Sequence, residues 1–408
     1  MTNRTKLLFP NLNSNLLPIR PFALYIHWPF CKAKCPYCDF NSHVDTQVDV
    51  KAFGDALCEE MTYMKSLMPK HPALSSLFFG GGTPSLMPPW LIERLITHAQ
   101  KLFGFMSNIE ITAEANPTSI ETEAMLNFRQ VGVTRVSMGI QSLDDSGLKF
   151  LGREHSVFEA LSALDKVCKA FDRVSIDLIY ASPNQSPKAW HDMLSEALSL
   201  GLGHLSLYQL TIEPGTVFHT RKRKGEVMAL DNDQAANLYE ITQKLTSDAG
   251  LPAYEISNHA TAEQKCRHNL TYWQAGDWIG VGPGAHGRFA KFDPEHNCIV
   301  RAATKTRNSP AGWLNSVVKN GHGIEVQEIE TLHDWANEMV MMGLRLTKGI
   351  NLNSIERLCG PINEWLDFDG VARGIDAGWL HHDPASSILM ATPDGRIRLN
   401  FILSIILR

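Results

Sequence analysis

The sequence has no apolar run near the roughly 18–20 residues that a membrane-spanning helix needs. Its longest terminal candidate, Phe401 to Leu407, is far too short. There is no basic excess either: 38 Lys and Arg against 43 Asp and Glu give a formal charge of −5, which offers nucleic acid no electrostatic footprint. The first residues carry Arg4, Lys6 and Pro10 but no apolar core followed by small residues, so no secretory signal is expected and the protein is placed in the cytoplasm. Internal repeats and low-complexity segments are missing too. With 408 residues, 44% hydrophobic and 20% charged, the chain is an ordinary globular mixture, long enough for one large domain and a smaller one.

A disulfide framework is also missing. There are eight cysteines; three crowd between positions 31 and 38 and five are scattered, which points to reduced thiols and a metal site. Cys58, Cys168 and Cys359 fall in apolar, helix-like stretches and are expected as small buried core residues.

Short β-rich runs alternate with amphipathic segments. The runs are Phe22–His27, Ser76–Phe79, Ile109–Ala113, Arg135–Met138, Arg173–Ile179 and His204–Leu210. Helical periods cover Val50–Met68, Pro89–Phe103, Thr122–Gln130, Val157–Ala170 and Ala189–Leu200. Such alternation implies right-handed crossovers and a parallel sheet. Six units predict an α/β fold, a partial (β/α)6 barrel whose chemistry sits at the C-terminal strand ends. From about Glu255 the pattern changes to a Gly- and Trp-rich segment, Trp273–Gly287, then a helix over Leu332–Leu346, and a turn at Thr392-Pro393-Asp394-Gly395. The predicted organisation is an N-terminal arm at 1–21, the barrel at 22–254, and a C-terminal region at 255–408 ending in a small, mostly helical, winged-helix-like domain.

Cys31-Lys-Ala-Lys-Cys35-Pro-Tyr-Cys38 follows the first strand. Three thiolates on one loop can ligate three irons of a cubane and leave the fourth open for an exchangeable ligand. Structural zinc, with His43 as a fourth ligand, and inert thiols are the other readings of this spacing. Gly80-Gly81-Gly82-Thr83-Pro84 follows the second strand, where glycines let backbone approach a ligand closely.

Together these motifs resemble the radical S-adenosylmethionine (SAM) family, and most closely its oxygen-independent coproporphyrinogen III oxidase group. The resemblance extends to Glu114 in Glu114-Ala-Asn-Pro117, Gln141 in Ser137-Met-Gly-Ile-Gln141, Arg153 in Gly152-Arg153-Glu-His155 and Asp177 in Ile176-Asp177-Leu-Ile-Tyr180. It implies a 4Fe–4S cluster on Cys31, Cys35 and Cys38. It also implies SAM contacts from Tyr25, Gly81 and Glu114, while Tyr37, Gly82, Thr83, Gln141, Arg153 and Asp177 correspond to positions that touch a second SAM in the oxidase. A carboxylate and a guanidinium suit the ammonium and carboxylate of a methionine moiety.

Two features depart from the oxidase. The oxidase has a fourth cysteine two residues after the third, where this chain has Phe40, and Tyr208-Gln209 replaces the oxidase pair after the sixth strand. The stretch Cys35-Pro-Tyr-Cys-Asp-Phe-Asn-Ser-His43 is similar instead to the HemW group of haem chaperones. So is Arg267-His268-Asn269-Leu270-Thr271-Tyr272-Trp273, which carries the HNxxYW pattern that the resemblance ties to haem binding. His268 or Tyr272 is then the iron ligand, Trp273 a flat face for the macrocycle and Arg267 a propionate partner, with Asn269 in the motif. Cys266 and His286 are backup ligands. The Gly280–Gly287 run is read as a close-packed turn rather than a nucleotide site. The implied function is haem delivery to haem-accepting respiratory proteins, with no nucleic-acid partner and no transmembrane segment. The resemblance leaves peripheral membrane association and a homodimer open. The alternatives are radical decarboxylation of coproporphyrinogen III and radical breakdown of haem.

Overall fold

A computed structural model describes residues 20–45, 47–68, 71–293 and 298–408. The expected arm at 1–21 lies, up to residue 19, outside the described residues. Eleven strands form one sheet: β1 (Phe22–Trp28), β2 (Leu74–Gly81), β3 (Phe105–Ala115), β4 (Arg135–Gln141), β5 (Val174–Tyr180), β6 (His204–Gln209), β7 (Asn258–Ala260), β8 (Asp277–Val281), β9 (His286–Asp293), β10 (Cys298–Thr306) and β11 (Ile324–Ile329). Their spatial order is β11-β10-β9-β8-β1-β2-β3-β4-β5-β6-β7.

The run from β1 to β6 is parallel throughout, the six strands that the hydrophobic pattern predicts. Long crossovers dictate this, since parallel neighbours need a helix to return the chain. The helices are α1 (Val50–Leu67), α2 (Pro89–Phe103), α3 (Ser119–Gln130), α4 (Asp145–Phe150), α5 (Val157–Ala170), α6 (Pro187–Ser199), α7 (Val217–Arg223) and α8 (Asn232–Asp248). Their starts are written in the sequence. Asp49 accepts from the Ala52 N–H, Thr118 from Glu121, and Ser156 with Glu159 makes a reciprocal capping box, each satisfying donors the helix leaves free.

The sheet does not stop at residue 254. β8 pairs with β1 in parallel, as a seventh parallel strand, and β9, β10 and β11 extend that edge antiparallel. Periodicity misses this because Trp273–Gly287 is too rich in glycine to read as strand. Three further helices accompany the extension: α9 (Arg267–Trp273), α10 (Pro310–Asn320) and α11 (Leu332–Gly343). One apolar core underlies the large sheet, from Phe22 to Val317. A second runs from Trp335 to Ile406 and gathers α11 with α12 (Leu352–Cys359), α13 (Phe368–Asp376), α15 (Leu399–Ile406) and a three-stranded sheet; the short α14 (Pro393–Ile397) packs against α15. Cys58 and Cys359 are buried as expected, but Cys168 is exposed: it lies on the outer face of α5, whose buried side is Ala160, Ala163, Leu164 and Val167.

Among the described residues no helix is long and apolar enough to cross a membrane.

Candidate functional site

The C-terminal ends of the parallel strands open into a cavity of about 360 Å³, the size range of small-ligand sites. Cys31, Cys35, Cys38, Tyr37, Gly81, Gly82, Thr83, Glu114, Gln141 and Asp177 all line it, and so does Phe40. Tyr25 and Arg153 stand just behind this lining.

The cysteine loop is held from several sides. His27, on β1, meets the Asn41 carbonyl through Nε2 at 2.8 Å and the Tyr25 hydroxyl through Nδ1 at 3.0 Å. Asn41 in turn donates its amide to the carbonyls of Pro283 and Asn308, each at 2.9 Å. Each thiol faces a polar group. The Thr83 hydroxyl donates to Cys31 Sγ at 3.4 Å, Arg153 to Cys35 Sγ at 3.5 Å, and Ser42 lies 3.9 Å from Cys38 Sγ. Burial pushes the Cys31 thiol up, and Thr83 works against that shift.

The glycines of the second loop are required by space. A Cβ on Gly81, whose φ is +115°, would lie 2.6 Å from the His27 ring, and one on Gly82 would lie 2.7 Å from the Phe30 carbonyl oxygen. Only glycine lets this strand end pass so close to the cysteine loop.

Opposite the thiols the wall is acidic. Glu114 Oε2 accepts from the Gly81 N–H at 3.2 Å, and burial pushes its carboxyl up to about 8, with Asp177 adding to the shift. Asp177 accepts from Ser137 at 3.2 Å; burial raises it to about 6 while Ser206, Ser137, Arg135 and Arg153 oppose. Gln141 holds φ at +73°, a left-handed conformation that non-glycine residues adopt at a cost and that clusters at functional sites. Asn116 is the residue whose part sequence reasoning missed: its amide donates to Thr83 at 3.5 Å and its oxygen accepts from Arg153, tying the two together. Its position in Glu114-Ala-Asn-Pro117, two residues past a candidate site residue, was the available signal.

The HNxxYW residues lie elsewhere. They form α9, which packs against β1, β2 and β8 behind the cavity. Glu110 Oε1 accepts from the N–H groups of Arg267 and His268 at 2.9 and 3.2 Å and so caps the helix start. His268 is 1% exposed. Its Nδ1 meets Ser76 Oγ at 3.0 Å, its Nε2 meets the Tyr272 hydroxyl at 2.6 Å, and its ring stacks on Phe78 at 4.9 Å. Burial lowers its pKa to about 3, so the imidazole is neutral. Tyr25 lies 6.2 Å from this ring, which makes it the bridge between α9 and the cavity wall. Asn269, Tyr272 and Trp273 are half-buried. Arg267 donates to the Asn108 carbonyl. Cys266 is buried at the N-cap of α9, and His286 begins β9.

Residues 25–197 match the Radical SAM superfamily. The Haemophilus influenzae "Heme chaperone HemW" is 39% identical over 311 residues, which cover 72% of this chain and 76% of that protein. The chain belongs to the HemW-like family of radical SAM proteins. The Bos taurus "Radical S-adenosyl methionine domain-containing protein 1, mitochondrial" is 38% identical over 358 residues, 86% of this chain and 79% of the relative. Among solved structures, coproporphyrinogen III oxidase (HemN) from Escherichia coli aligns with a TM-score of 0.79 at 21% identity, over 95% of this chain and 90% of that one. That likeness establishes a shared α/β radical SAM fold. Membership of the radical SAM family implies a 4Fe–4S cluster and SAM.

Proposed function

We propose that the protein is a haem chaperone: it binds haem at α9 and passes it to haem-requiring respiratory proteins, and it carries a 4Fe–4S cluster and SAM at the barrel mouth. The single observation that carries this reading is the pairing of two features in one HemW-like chain. An HNxxYW helix backs the cavity through Tyr25, and Phe40, 60% exposed, lines the cavity two residues past the third cysteine.

The residues present fit the cluster. Three thiols on one loop, facing Thr83, Arg153 and Ser42, form a soft donor set whose thiolate charge those groups stabilise. Cys31, Cys35 and Cys38 would hold it, and the bound cluster would supply one-electron chemistry to a SAM on the open iron. Glu114 and Asp177 offer carboxylates to the ammonium and sulfonium charges of SAM, while Gly81 and Gly82 let backbone reach it. Arg153 positions Cys35 and Asn116. In this reading His268 is the iron ligand, Tyr272 its hydrogen-bond partner, and the cytoplasm the compartment.

Anaerobic reconstitution with haem and with coproporphyrinogen III in parallel tests the proposal. One haem bound per chain, weakened by His268→Ala, with no protoporphyrinogen formed, supports it. Protoporphyrinogen IX formation would make the protein a porphyrinogen oxidase instead.

A further inference from the structure

The two cores meet at a seam beside α9, and buried donors concentrate there. Arg345, just past α11, stacks its guanidinium on the Trp273 ring at 4.4 Å and pairs through one nitrogen with Glu255 at 3.1 Å. Its Nε is buried without a hydrogen-bond partner, and so is the indole Nε1 of Trp273. Arg396 on α14 enters the same seam and also has a buried, unpartnered Nε. The Tyr239 hydroxyl on α8 connects the two sides. Burial raises its pKa, Arg396 beside it works the other way, and Glu255 and Arg345 act on it as well. Gln243, one turn further along α8, has an unpartnered amide nitrogen.

Four unpartnered atoms of this set are nitrogen donors, on Arg345, Arg396, Trp273 and Gln243, and the fifth is the Tyr239 hydroxyl, which can donate as well as accept. The charges are two guanidiniums against one carboxylate, Glu255, which is already committed to Ser257, Asn258 and Arg345. Leaving buried donors unmet is costly. One more carboxylate would satisfy the donors and balance the charge. Arg345, Arg396 and Trp273 are each half-buried rather than sealed, so part of each side chain reaches solvent beside its buried nitrogen.

We propose that this seam is a carboxylate-binding site, and that its carboxylate is a propionate of the haem, held by Arg345, Arg396 and the indole N–H of Trp273. The choice of haem rests on the function proposed above. The seam assigns a role to two arginines of the C-terminal helical unit that lie outside the HNxxYW motif. It makes that unit part of the haem site.

The test titrates the reconstituted full chain with haem, with haem dimethyl ester, whose propionates carry no charge, and with iron-free protoporphyrin IX, which keeps them. The variants are Arg396→Gln and the pair Arg345→Gln with Glu255→Gln, which avoids stranding a buried carboxylate. Circular dichroism and cluster absorbance verify the fold. The expected result is roughly tenfold or greater weakening of haem and of protoporphyrin in each variant. The ester should bind the unaltered chain just as weakly, and the variants should weaken it no further. Folded variants that bind haem like the unaltered chain, or haem binding indifferent to esterification, would overturn the seam and keep the chaperone reading. Arg396-dependent binding of protoporphyrin without haem binding would overturn the chaperone reading and keep the seam. Binding of neither overturns both.

Discussion

His268 and Tyr272, one helical turn apart on α9, share a hydrogen bond of 2.6 Å inside the barrel wall. The other ring nitrogen of His268 is occupied by Ser76. An imidazole engaged at both nitrogens offers iron no lone pair until one partner lets go. Tyr272→Phe removes the partner at Nε2 and keeps the ring, which packs edge-on against Trp278 at 4.8 Å. Releasing a hydrogen bond worth about 1 kcal/mol should tighten haem binding roughly fivefold, with the Soret band of a histidine-ligated haem. Absorbance titration reads both. A loss of binding in Tyr272→Phe would assign the iron ligand to the phenol.

Asn41 links the cysteine loop to the turns around Pro283 and Asn308, some 240 and 270 positions away in sequence. Asn41→Ala removes two hydrogen bonds at about 1 kcal/mol each and frees the loop between Cys38 and His43. The expected outcome is a Tm lowered by several degrees and reduced iron and sulfide per chain after reconstitution. Iron content equal to that of the unaltered protein would show that the loop holds its shape without this anchor.

Much of this arrangement was legible in the sequence. The six parallel strands follow from alternating apolar runs, and the helix starts from Asp49, Thr118 and Ser156. The cavity residues came from the resemblance to the radical SAM family, whose motifs fall at the ends of these strands. The strands after residue 254 were not legible, since the short β8 carries Gly280 and runs straight into Gly282, which weakens its β signal. Nor was the burial of His268. A histidine beside aromatics reads alike whether it faces a ligand or fills a core, and only Ser76 and Phe78, almost two hundred positions away, decide it. The seam at Arg345 and Arg396 is likewise a product of two cores meeting, which no local pattern encodes.

Glu114 makes the protein's stability depend on pH. Its folded value of about 8 lies above the ordinary 4.5, chiefly through burial. A carboxyl raised in this way stabilises the fold while protonated, fully below its unfolded value, and loses that contribution as pH rises through about 8. The thermal stability of the ligand-free protein should therefore fall between pH 5 and pH 8, and Glu114→Gln should flatten the slope. The cationic groups of SAM favour the ionised carboxylate, so binding at neutral pH should release a proton. Calorimetry in buffers of different ionisation enthalpy measures that release. A pH profile unchanged by the substitution would contradict the assignment.

Glu110 decides where α9 begins. One carboxylate oxygen accepts from the first two N–H groups of the helix, and the other pairs with Arg173 at 2.8 Å. Arg173 also donates to the Lys265 carbonyl at 2.8 Å, so the segment leading into α9 is held from both ends of one ion pair. Arg135 is buried in the same layer of the barrel and feels the Glu110 charge. Glu110→Gln keeps one acceptor but leaves Arg173 and Arg135 without their shared counter-charge. Removing one partner of a buried pair costs about 3–5 kcal/mol, so unfolding should shift to clearly lower denaturant concentration. The local effect separates this from a general loss of stability. Hydrogen exchange at the amides of residues 267–273 should accelerate more than exchange in β1 to β6, because α9 loses its cap while the sheet keeps its ladder. Uniform acceleration across sheet and helix would mean that Glu110 serves the barrel as a whole and does not hold the haem-motif helix in place.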